Sequence, residues 1–146
     1  MNHTIDALAV VITGLMVGVE LGVAVFFNPF IGRLPDDAFS AARRRSGRVL
    51  GSMMPFWYAT TLLLLALAAF DGWGEPRGRL CGIAAGLMAV VVLGTVTLLV
   101  PLNNRIAKWP GTGDVSRELA ARWDRRHQLR TAVLLAVFVL LTIGVT

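Results

Sequence analysis

Cysteine is almost missing from this chain: Cys81 stands alone among 146 residues. One thiol excludes a disulfide framework, a CxxC redox pair and a multi-cysteine zinc site within a single chain. It argues equally against a quinone-linked thiol oxidase. Charge is scarce as well. Charged residues make up 16% of the sequence, against about 25% in an ordinary soluble domain. Met1 to Asp6 contains neither Lys nor Arg, and the apolar run that follows is too long for the core of a signal peptide. The N-terminus therefore does not read as a cleavable leader.

What is present is hydrophobic residue in blocks. Residues 7–27 carry one charge, and residues 49–70, 80–102 and 131–146 carry none. A helix needs about 20 apolar residues to cross a bilayer core about 30 Å thick. Three blocks meet that length. The fourth spans roughly 24 Å, so its missing turn must come from the residues just before it. The expectation is one all-α domain, an integral membrane four-helix bundle with spans at about 7–28, 48–70, 80–102 and 127–146.

The net charge of +5 does not point to nucleic acid, because most cations sit in two inter-span loops. Loop 32–48 carries net +3 and loop 103–130 carries net +4, while loop 71–79 balances to zero. The positive-inside rule then places both basic loops in the cytoplasm and both termini outside the bacterial inner membrane. Pro35-Asp36-Asp37 reads as a helix start, giving a short interfacial helix in the first cytoplasmic loop. Arg43, Arg44 and Arg45 would hold that helix to anionic headgroups. Pro55 predicts a kink in span 2. Residues 110–113 read as a turn, with Asp114 or Ser116 as N-cap of the last helix. No internal repeat is apparent.

Glu20 is the sharpest single signal. A carboxylate at that depth costs about 2.5–3.5 kcal/mol or more unless it is paired, protonated or wet. It either locks helix 1 to helix 4 through an arginine or serves as substrate anchor, proton acceptor or metal ligand. Trp123, His127 and Arg130, at i, i+4 and i+7, share one helix face. Histidine is the side chain best suited to act as a base near neutral pH. Asn28, Arg48, Asn103, Asn104, His127 and Arg130 all fall at the cytoplasmic ends of their spans, and the outer ends show nothing comparable. Each has a plainer reading too. The asparagines can cap helices, Trp123 can anchor at the interface, and Arg130 can snorkel to water. Gly14, Gly18 and Gly22 form a small-residue stripe suited to close helix packing, with a second copy of the chain as one candidate partner.

Pro101-Leu102-Asn103-Asn104, followed by Trp123-x3-His127-x2-Arg130-Thr131, resembles the anthrone-oxygenase-like family of small membrane proteins. The glycine-rich first span leading to Asn28-Pro29 is also similar. The resemblance implies four transmembrane helices and, in a few members, oxygenation of anthrones to anthraquinones. On that footing the substrate is a small apolar aromatic molecule reached through the lipid bilayer. His127 or Glu20 would be the base, with Arg130 and Asn103 as oxyanion donors. Trp123 would be a stacking surface, with Asn28, Arg48 and Asn104 as further substrate contacts. Dioxygen needs no other cofactor for this chemistry. Copper or iron held by Glu20 and His127 stays open as an alternative. Two other classes compete: a small proton-coupled multidrug-type transporter working through Glu20, and a non-catalytic membrane scaffold.

Overall fold

The computed structural model describes residues 3–109 and 115–146. Four long helices account for nearly all of them: α1 (His3–Ile31), α2 (Asp36–Asp71), α3 (Pro76–Ala107) and α4 (Arg117–Val145). Each packs against its neighbour in the chain, and α4 closes the ring against α1. All four are long and apolar enough to cross a membrane, and no more than a third of each apolar window is buried inside the protein. The rest of the surface carries side chains such as Leu15, Phe26, Phe56 and Leu93, as a lipid-facing belt requires.

The first loop differs from the sequence expectation. Residues 38–46 do not form a separate interfacial helix but run straight into span 2 as one helix of 36 residues. Nothing in Ala38–Ser46 breaks a helix, and Pro35 sits at the N-cap position, where its missing N–H costs nothing. Ser116 caps α4, its side chain accepting from the Leu119 amide. The turn expected at 110–113 and the Asp114 alternative lie outside the described residues.

Lipid tails are as apolar as leucine, so helices in a membrane gain little from hydrophobic contact and rely on close packing and polar links. Both appear here. Ala9, Met16, Leu65, Ala84, Met88, Leu134 and Leu141 are fully buried in the main core. The Trp57 indole donates to the Ile12 carbonyl at 3.0 Å. At the end of the bundle away from the basic loops, Arg77 clamps Asp6 through both terminal nitrogens (2.8 and 3.2 Å) and meets Asp71 at 2.8 Å. That end was expected to show no polar cluster. Asp6, Asp71 and Arg77 lie on three different helices, so no sequence spacing reveals that they meet. Gly78 is required there, because a Cβ would fall 2.0 Å from the Gly72 carbonyl oxygen. Of the glycine stripe, Gly14 lies under the Phe138 ring, whereas Gly18 and Gly22 face open space.

A second, smaller core closes the basic-loop end. Ile31, Phe39, Ile106, Trp109 and Ala120 are buried together there. Arg117 ties the loop down by donating to the carbonyls of Gly32 and Leu34 and to Asp36 while lying over the Phe39 ring.

Candidate functional site

Two prolines shape the site. Pro29 and Pro101 lack an amide hydrogen and crowd the carbonyl four residues back. In both helices the chain responds with a wide turn just upstream, at Val23–Phe27 and Thr95–Leu99. Asn28 and Val100, the residues before the prolines, close these turns by donating five residues back to Val23 and Thr95. A wide turn absorbs one extra residue. In a regular helix, positions eight apart are turned about 80° from one another; across a wide turn this falls to about 20°. Glu20 and Asn28 in α1 are eight apart, as are Thr95 and Asn103 in α3. All four line one internal cavity.

The cavity has a volume of about 310 Å³ and is walled by all four helices near the basic end. At its heart is a compact polar cluster. Glu20 Oε2 accepts from Arg130 Nη2 at 2.9 Å and lies 3.2 Å from His127 Nδ1. The same Arg130 nitrogen is 2.8 Å from His127 Nδ1, so carboxylate, guanidinium and imidazole form a triangle. Tyr58 donates its hydroxyl to Glu20 Oε1, and the Arg130 guanidinium lies 5.6 Å from the Tyr58 ring centroid. Arg130 Nη1 reaches the Thr95 hydroxyl at 3.4 Å. Glu20 and His127 are only 2% and 1% exposed.

Such a cluster survives in a low-dielectric interior only because each charge has a partner. Two buried nitrogens within it, His127 Nε2 and Arg130 Nε, have no protein partner, and neither does Asn28 Nδ2 nearby. Buried polar groups are nearly always satisfied; these three retain unused hydrogen-bonding capacity. The imidazole has two neutral forms. With the proton on Nδ1, shared with Glu20, Nε2 offers a lone pair. With Nδ1 accepting from Arg130, Nε2 becomes a donor.

Trp123 stacks on His127 with ring centroids 4.8 Å apart and planes 16° apart. One face of the indole is thus covered by the imidazole, which it orients, and the Arg43 guanidinium lies 5.7 Å from its ring. Asn103 reaches the Gly47 carbonyl at 3.5 Å. Arg48 and Asn104 are exposed and form no part of the wall. Each is one residue, hence about 100° of helix, away from the residues that face inward, Gly47 and Asn103.

Three contributors went unrecognised in the sequence. Tyr58 is the only tyrosine in the chain, and its polar tip in an uncharged block was the available signal. Thr95 gave none. Arg43 was assigned to lipid headgroups with Arg44 and Arg45, yet it is only 5% exposed and pairs with Asp124 at 2.6 Å. It also lies near the rings of Phe39 and Trp123 and forms part of the cavity wall. A partner on α4, 81 residues away, draws it inward.

The donor set suits a metal poorly. Among the described residues, no three His, Cys, Asp or Glu side chains come together. The facing atoms of Glu20 and His127 already share Arg130 Nη2. Copper or iron held by that pair would have to displace a group that is itself a cation.

Close approach has different consequences at two glycines. At Gly47 a Cβ would lie 2.7 Å from Asn103 Oδ1, the end of a flexible side chain that can turn aside. At Gly78 it would lie 2.0 Å from a backbone oxygen of Gly72, which has no such freedom, and overpacking typically costs about 1–3 kcal/mol or more. Gly78→Ala is expected to melt below the wild type in detergent, whereas Gly18→Ala, which meets open space, should not.

The helices and the cavity together describe a membrane-spanning four-helix bundle with a ligand-sized cavity and a buried carboxylate–imidazole–guanidinium cluster. The anthrone oxygenase family model matches residues 44–140, and the chain belongs to that family. No curated protein and no solved structure matches it. The matched region contains Tyr58, Thr95, Asn103, Trp123, His127 and Arg130; Glu20, Asn28 and Arg43 precede it. At the level of the family, the match supports an oxygenase-related function.

Proposed function

We propose that this protein is a membrane-embedded oxygenase that uses dioxygen to convert an apolar, phenolic, anthrone-like ketone to its quinone. Family membership supports the reaction class. The observation that carries the mechanism is the Glu20–His127–Arg130–Tyr58 cluster in the wall of an otherwise largely apolar cavity. An anthrone methylene, flanked by aromatic rings and conjugated to the carbonyl, loses a proton to give an electron-rich enolate. Both oxygens of Glu20 are engaged by Arg130 and Tyr58, so His127, through Nε2, is the proton acceptor. Glu20 then stabilises the imidazolium, and the unpartnered donors Arg130 Nε and Asn28 Nδ2 are suited to the enolate oxygen.

Dioxygen adds at the former methylene carbon, and the resulting peroxide takes up a proton. Loss of the second C–H proton with cleavage of the O–O bond leaves a carbonyl there and releases water. The methylene loses as many electrons as dioxygen gains, so no further oxidant or reductant is needed. The charge pattern of the loops supports an orientation with both basic loops on the cytoplasmic side and both termini outside. A transporter reading gains less support, because the Arg130 guanidinium already holds the place at Glu20 that a cationic drug would take.

The test is stoichiometry with labelled dioxygen. Purified protein in lipid should consume one dioxygen per anthrone, with one labelled atom in the quinone and the other in water. Chelation should leave the rate unchanged. No oxygen consumption with any tricyclic anthrone would overturn the oxygenase reading. Activity lost on chelation and restored by copper or iron would overturn its metal-free form.

A further inference from the structure

The cavity must communicate with the outside somewhere, and the exposure of its wall residues locates the opening. Toward one end of the bundle it is closed by the main core. Toward the basic loops it is closed by the second core of Ile31, Phe39, Ile106 and Trp109, with Arg117 clamping the loop above. The wall residues contributed by α1 and α4 are all buried or partly buried. Five wall residues are exposed, and every one lies on α2 or α3: Gly51, Pro55, Ala59, Val96 and Val100. They form two rows with a spacing of four. Gly51, Pro55 and Ala59 run along one edge of α2, and Val96 and Val100 along the facing edge of α3. Val96 is 59% exposed and Val100 is 41% exposed.

We propose that this row pair is a lateral portal, through which a flat, apolar aromatic substrate passes directly from the bilayer into the cavity. The inference relies on the oxygenase reading for the class of occupant, but its geometry is independent of it. All five exposed wall residues are apolar or lack a side chain, so no polar side chain stands at the mouth. The α2 edge carries no side chain at Gly51 and only a methyl at Ala59, which leaves a slot instead of a packed seam. Eight residues of helix give the slot a length of roughly 12 Å. Behind it lie two nitrogens without a protein partner, His127 Nε2 and Asn28 Nδ2, on residues 1% and 7% exposed, and these would hold the ligand once inside. The mouth also has one polar feature. Pro55 has no N–H, so the Gly51 carbonyl lacks the donor a regular helix would supply.

Protein in lipid nanodiscs, mixed with a fluorescent anthraquinone, provides the test without requiring turnover. In the wild type, association should be saturable, with a rate that follows the probe's mole fraction in the lipid and not its aqueous concentration. Val96→Trp and Gly51→Leu should each slow association at least about tenfold. Val96→Trp changes a lipid-facing side chain and buries nothing, so it should fold normally. Leu15→Trp, on an exposed α1 position outside the wall, should leave the rate unchanged. Absence of saturable binding in the wild type, or wild-type rates in both portal variants, overturns the portal. Saturable binding slowed by both variants, with no oxygen consumed by the wild type, would leave the portal standing while the oxygenase reading fails.

Discussion

Replacement of His127 by alanine is expected to reduce oxygen uptake with an anthrone by about 10²–10⁴-fold, the usual contribution of a positioned general base. The imidazole is almost fully buried, with one nitrogen in the Glu20–Arg130 triangle and the other free. Its loss removes the proton acceptor and also the ring on which Trp123 stacks. His127→Gln is the companion variant, since an amide can keep contacts to Glu20 and Arg130 but is not a base. If both variants lose activity alike while expression and melting temperature hold, the base role stands. Near-normal uptake in His127→Gln would assign the imidazole a purely structural task. A transporter predicts a different pattern, in which Glu20→Gln abolishes efflux, His127 variants matter little and no oxygen is consumed.

The second large effect is on stability. Glu20→Gln leaves the Arg130 charge facing an amide within the bundle, and removing one partner of a buried pair typically costs about 3–5 kcal/mol. The Tyr58 hydroxyl loses its charged acceptor in the same step. Arg130→Gln should cost a similar amount for the converse reason, with the Glu20 carboxylate left among His127 and Tyr58. The double variant, neutral on both sides, should be destabilised by clearly less than the sum, because the two residues are in direct contact. Thermal unfolding of all four proteins in one detergent measures this. Simple additivity would show that the pair does not hold α1 to α4. Both single variants should also lose oxygenase activity, and the stability measurement separates a missing fold from the loss of the charges that support His127 and the enolate.

Much of the architecture is legible in the sequence. The four spans follow from the lengths of uncharged blocks, and Glu20 stands out because a lone carboxylate in such a block is costly wherever it points. His127 and Arg130 were legible for a related reason: the last apolar block is too short, so the residues before it are drawn toward the membrane. The site was less legible where helix phase decides. Arg48 and Asn104 occupy the same depth as Gly47 and Asn103 but face outward, and block lengths carry no information about rotation.

Block lengths and buried charge already imply a four-span membrane protein with a carboxylate, an imidazole and a guanidinium near one end. Each of those conclusions depends on a transfer cost that is local to one segment. It takes the packed bundle to bring Glu20, Tyr58, His127 and Arg130 into one cluster, to turn Arg43 inward to Asp124, and to open the cavity between α2 and α3. Those outcomes depend on how four helices rotate against one another. In α1 and α3, wide turns before Pro29 and Pro101 shift that rotation by about one residue, a change of phase that no regular periodicity predicts.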